Sequence, residues 1–245
     1  DYGITTEQLS MVILANFGMQ LLTDLLASKY ADKIGTRTCL VAAHTLAGAG
    51  LVLLTVLPDV MGGFLGLVVA TAVYGVGGGL LEALVSPVLE SCPSENHSGI
   101  MSIMHSFYCW GVVFSVLTST VFFLLCGIDN WRIITLVWAI IPFSNAVAFL
   151  FVPINQEREE SGESSGEFIK TPIFLIFFVI MIASGAAEVA ISQWASAFAE
   201  AALGVRKAVG DVVGVCGFAA TMGIARALYG AFSKKIDIRT ALLFS

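Results

Sequence analysis

Apolar runs of about 20 residues recur along the whole chain, separated by short polar links, and this pattern narrows the possible folds more than any other feature. A run of that length crosses a bilayer as a helix, because in lipid a helix satisfies its own backbone N–H and C=O groups. Apolar residues make up 57% of the sequence and charged residues 12%, with a mean hydropathy of +0.89. One large soluble core does not account for such a composition, so the chain reads as an all-α integral membrane protein. Its net charge of −6 sits mainly in the links and says little about partners; no basic block points to nucleic acid.

Seven spans are expected, with the start of an eighth. Thr5 and Gln8 have capping-box spacing, so the first helix begins there and runs to about Ser28. The following spans are expected at about 38–57, closed by the turn Pro58-Asp59, and at about 62–89, 99–126 and 132–152. Residues 154–170 are acidic, rich in Ser and Gly and nearly without apolar side chains, as a hydrated linker would be. Thr171 as N-cap and Pro172 at the first helical position open the sixth span, to about Phe198, and the seventh covers about 208–232. The expected organisation is a membrane half over 1–153, a linker over 154–170 and the start of a second half over 171–245. Both ends read as cut from something longer.

Charge inside a span is the first pointer to function. A charged side chain at the bilayer centre costs roughly 2.5–3.5 kcal/mol on insertion scales, so such residues face a cavity or a partner. Glu82 stands about the middle of the glycine-rich third run, on a face shared with Gly75, Gly78 and Gly79 that is thin enough to wall a water-filled site. His105, Tyr108 and Cys109 share a face of the fourth run. Asn16, Gln20 and Asp24, four apart, line one face of the first, with Asp24 either facing a cavity or contacting another helix during gating. Ser184, Glu188, Ser192 and Ser196 form a polar column on the sixth, flanked by Gln193 and Trp194, and Arg226 is the basic residue deep in the seventh. For Glu82, Glu188 and Arg226 the structural alternative is mutual pairing that holds helices together. His44, alone on an apolar helix, reads as a packed neutral residue.

No HExxH, GxSxG or nucleophile–base spacing accompanies Glu82 and His105, so an intramembrane enzyme is not expected. The five cysteines lack CxxC or metal-like spacing; they read as small apolar residues, with no metal or cofactor.

Sorting the links by side places Lys29, Lys33, Arg37, Arg158, Lys170, Lys234, Lys235 and Arg239 on one side, against Arg132, Arg206 and Lys207 on the other. The positive-inside rule makes the first side cytoplasmic and puts Asp1 outside. The basic link SKYADKIGTRT at Ser28 also matches GAFSKKIDIRT at Gly230, sharing Lys33/Lys235, Ile34/Ile236, Arg37/Arg239 and Thr38/Thr240. Two related membrane halves joined by a soluble linker are a transporter architecture, with substrate bound near the midplane.

SKYADKIGTRT resembles the G-x-L-x-D-R-x-G-R-[KR] loop of the major facilitator superfamily, with Ser28 and Thr36 departing from the pattern. LLEALVSPVL followed by HSFYCWG, then GAAEVAISQW and GIAR, resembles the fucose permease branch of sugar–proton symporters. The resemblance implies a helix bundle of the superfamily's type, of which this chain covers about helices two to eight of twelve, in the cell membrane. It implies proton coupling at Glu82 and contacts to a sugar-like substrate from His105, Tyr108, Glu188 and Trp194, with Gln193, Asn16 and Gln20 as further polar candidates. Asp24, Asp32, Arg37 and Arg226 are gating candidates, Asp32 as cap of a neighbouring helix N-terminus. Ser86, His105 and Tyr108 differ from the branch's usual residues at the positions that select the sugar. The alternative transporter reading is export of an amphiphilic compound, which calls for a hydrophobic cavity.

Overall fold

A computed structural model describes residues 2–154 and 171–234. Among these residues every regular element is helical, and seven helices are long and apolar enough to cross a membrane. They are α1 (Thr6–Ile34), α2 (Thr36–Met61), α3 (Gly63–Glu90), α4 (His97–Cys126), α5 (Trp131–Phe151), α6 (Pro172–Leu203) and α7 (Lys207–Phe232). The expected linker and the start of an eighth span lie outside the described residues.

The helix starts follow their caps. Thr5 and Gln8 exchange the two capping-box hydrogen bonds at 3.0 and 3.2 Å, and Thr171 Oγ1 accepts from Phe174 N ahead of Pro172. Asn96 Oδ1 accepts from Gly99 N, starting α4 two residues earlier than the sequence suggested.

Several ends differ from expectation. The basic link is helical as far as Ile34, because Ala27 and Ala31 are buried with Cys39, Leu40 and Leu84, and the outward charges do not stop a helix. The chain turns only at Gly35, whose φ of 99° suits glycine. Pro58 does not close α2: it is fully buried inside the helix, which continues to Met61. A proline near the last turn forfeits one backbone bond, and here Gly66 of α3 lies against the Leu57 carbonyl and Pro58 N. The Ala-rich end of α6 runs on to Leu203 and stops at Gly204, in left-handed conformation.

The helices form two compact units. In the first, α3 packs against α1 and α2, and α2 packs against α5. The second contains α4, α6 and α7.

In the first unit the glycine run of α3 serves two neighbours. A Cβ on Gly77 would fall 2.6 Å from Ala43 O and Ala47 N of α2; one on Gly75 would fall 2.7 Å from Asn16 O of α1, and one on Gly79 would overlap Gln20 O. Helices approach this closely only where side chains are absent. His44 stacks on Phe149, ring centroids 5.2 Å apart, as a packed histidine.

In the second unit α7 meets α4 in the same way: Gly223 lies on Cys109 and Trp110, and Gly230 on Ile103 and Gly99 O. Near its start α7 contains a π-helical turn over Asp211–Cys216. π turns widen a helix locally and change the direction of the side chains that follow.

Candidate functional site

In the first unit the close approach of α1 and α3 brings Gln20 to Glu82, and Gln20 Nε2 donates to Glu82 Oε2 at 2.8 Å. The glycine face of α3 is therefore not a cavity wall: Gly75 and Gly79 lie against α1. What the glycines do for Glu82 is let the amide of α1 reach it. Glu82 sits about two thirds of the way along α3, past the middle position expected from the sequence.

No cation pairs with Glu82 among the described residues. Asp24, one turn beyond Gln20 on the same face of α1, is partly buried and has neither hydrogen bond nor ion pair there. Asn16, one turn before Gln20, has a buried Oδ1 without a hydrogen-bond partner, pressed against Gly75. The face predicted from four-residue spacing thus exists; it carries the carboxylate of Asp24 and holds Glu82 of α3 through Gln20, neither with a counter-charge among the described residues.

The other two gating candidates of this unit sit at the α1–α2 turn. Arg37 donates to Leu150 O at 3.3 Å and Val152 O at 2.9 Å, capping the C-terminus of α5. Asp32 is exposed and caps no helix, because α1 continues past it and directs it outward. At the opposite end of the unit lies a cluster that sequence reasoning missed. Tyr2 OH donates to Asp59 at 2.7 Å, and Arg132 reaches both at 2.8 Å. Asp59 and Arg132 are far apart in sequence at the ends of different spans, so only their shared side of the membrane could have hinted at it.

In the second unit the charges are compensated. Arg226 Nη2 stands 3.7 Å from Glu188 Oε2, and Nη1 bonds His105 O at 3.4 Å and contacts Cys109 Sγ at 3.9 Å. Ser102 Oγ donates to the Arg226 carbonyl at 2.7 Å. Arg226 thus ties α7 to both α4 and α6, the pairing that the structural alternative foresaw for it and Glu188.

Beside the pair a cleft opens between α4, α6 and α7, lined by Tyr108, Cys109, Val112, Glu188, Ser192, Val215, Phe218, Ala219 and Met222. Tyr108 and Glu188 belong to it as expected. His105, Gln193 and Trp194 do not line it: the His105 carbonyl accepts from Arg226, and Gln193 and Trp194 are exposed. The α7 wall was not anticipated, although Val215, Ala219, Met222 and Arg226 recur at helical spacing. At the far end of the polar column Ser196 hydrogen-bonds Asp211 in the π turn, and Lys207 lies 3.4 Å from the same carboxylate. Among the described residues no group of three His, Cys, Asp or Glu side chains is placed to hold a metal ion.

Membrane-length helices that carry carboxylates, an ion pair and a lined cleft within their spans define a multi-pass membrane protein suited to moving small molecules. The chain belongs to the Major Facilitator Superfamily, whose family model matches residues 1–245. It is accordingly a secondary transporter with a helix bundle of that superfamily's type, handling a small-molecule substrate in a lipid bilayer. No curated protein and no solved structure matches it.

Proposed function

We propose that the protein is a proton-coupled symporter of a sugar or related polar small molecule in the cell membrane, working by alternating access. The observation that carries this reading is the contrast between the two intramembrane glutamates. Glu188 has a guanidinium at 3.7 Å, whereas Glu82 has only the neutral amide of Gln20. A carboxylate within a span is costly without a counter-cation, which makes Glu82 the group suited to carry the coupled proton.

Glu82 is then the coupling residue, protonated from outside before substrate binds and deprotonated inside after release. Asp24, also without a counter-cation, continues the polar face of α1 as a gating group. Asp32 and Arg37 at the α1–α2 turn, and Arg226 between three helices, are the other gating residues; the bonds of Arg37 and Arg226 to neighbouring helices support that role. His105, Tyr108, Glu188, Gln193 and Trp194, with Asn16 and Gln20, are the substrate contacts. Of these, Tyr108 and Glu188 lining one cleft with Ser192 offer an aromatic face beside hydrogen-bonding groups, which suits a sugar.

The test is uptake of hexoses, deoxyhexoses and disaccharides into vesicles under an imposed pH gradient. Glu82→Gln is expected to abolish uphill uptake while counterflow exchange remains measurable. Uphill uptake equal to wild type would overturn the assignment. A second reading, export of an amphiphilic compound, is favoured by the apolar share of the cleft: Val112, Val215, Phe218, Ala219 and Met222. Resistance to amphiphilic toxins on expression, with no sugar uptake, would select it.

A further inference from the structure

Glu188 and Ser192 line the α4–α6–α7 cleft with acceptor capacity that no described residue fills. Glu188 is about one third exposed on the wall, and its contact with Arg226 at 3.7 Å is longer than a hydrogen bond. Its carboxylate accepts no hydrogen bond from any described residue. Ser192 Oγ donates to Val189 O at 3.2 Å, which uses its one proton and leaves its lone pairs open. Acceptors left open inside a span are costly unless something donates to them.

The donor's charge follows from Arg226. That guanidinium already compensates Glu188, and its Nη1 is held by His105 O and Cys109 Sγ. An ammonium group at Glu188 would add a second cation beside it in a medium of low dielectric; a hydroxyl group adds none. Val215, Phe218 and Met222 of α7 and Val112 of α4 add apolar contact, and Tyr108 an aromatic ring.

We propose that this cleft takes a neutral, hydroxylated molecule with an apolar body. Glu188 and Ser192 accept its hydroxyl protons, and Phe218 and Met222 select the apolar part. The inference rests on reading the cleft as part of the substrate path, and it narrows the substrate class by excluding organic cations of similar size.

The test measures binding to the protein in lipid nanodiscs, without a pH gradient, using phenyl β-glucoside, glucose and phenethylamine as probes. Phenyl β-glucoside is expected to bind about tenfold or more tightly than glucose, the gain that burying its ring supplies. Phe218→Ala and Met222→Ala are each expected to weaken phenyl β-glucoside about tenfold while changing glucose by less than about twofold. Phe218→Leu, which keeps an apolar side chain of similar bulk, serves if the alanine variant does not fold. Phenethylamine is expected not to displace the glycoside.

Displacement by phenethylamine at equal concentration, equal losses for both glycosides in the α7 variants, or no binding of either glycoside would each overturn the proposal. Binding without a pH gradient does not require proton coupling, which the uptake assay reads separately. Failure of proton coupling and failure of this substrate assignment are thereby distinguished.

Discussion

Glu188 and Arg226 are each about one third exposed, so the pair is shielded enough that losing one partner matters. Arg226→Leu leaves the Glu188 carboxylate without compensation, a loss on the order of 1–3 kcal/mol for an unsatisfied group. Adding Glu188→Leu removes the stranded charge, and the double variant is expected to recover most of that loss. Unfolding in detergent measures both; a double variant as unstable as the single would show that the bonds from Arg226 to α4 matter more than its charge. These residues stood out in the sequence because charge is rare in apolar runs. The partner of Glu82 did not. Gln20 and Glu82 lie 62 residues apart, and nothing local to either predicts the 2.8 Å bond, which depends on α1 and α3 packing through Gly75 and Gly79.

At the scale of the helices, what could be read was existence and type, while ends and neighbours depended on packing. The apolar runs, the capping box at Thr5 and the Thr171-Pro172 start all appear as expected. The link after α1 read as a loop because its charges are hydrophilic, yet a helix tolerates charge wherever its other face is buried, and Ala27 and Ala31 are. The π turn and the Ser196–Asp211 bond left no periodic trace at all. The glycine run showed that α3 is packed closely but not against what. Its two kinds of glycine are separable by experiment. A Cβ on Gly79 would overlap Gln20 O, a backbone atom that cannot step aside, whereas one on Gly78 would sit 3.5 Å from the Gln20 side chain. Gly79→Ala is therefore expected to destabilise the protein by about 1–3 kcal/mol, the usual cost of overpacking, and Gly78→Ala to be tolerated. Thermal unfolding of the two variants side by side checks this, and equal stabilities would contradict the packing of α1 on α3.

For the whole molecule, the positive-inside rule gives an expectation to test: the α1–α2 turn and the end of α3 in the cytoplasm and the end of α4 outside. The protein carries its own reporters of that orientation. Cys92 follows α3 and Cys126 is the last residue of α4; both are exposed, whereas Cys39, Cys109 and Cys216 are buried. A helix of 30 residues is about 45 Å long at 1.5 Å per residue, so α4 places its last residue across the bilayer from the link that holds Cys92. In intact cells a membrane-impermeant maleimide is expected to label Cys126 and to spare Cys92, and permeabilisation should add Cys92. Cys126→Ser removes the first signal and Cys92→Ser the second, which assigns each label to its thiol. The opposite result would invert the topology, and with it the direction of the proton transfer proposed for Glu82. The orientation is thus tested by two substitutions that touch neither the Gln20–Glu82 bond nor the cleft beside Glu188.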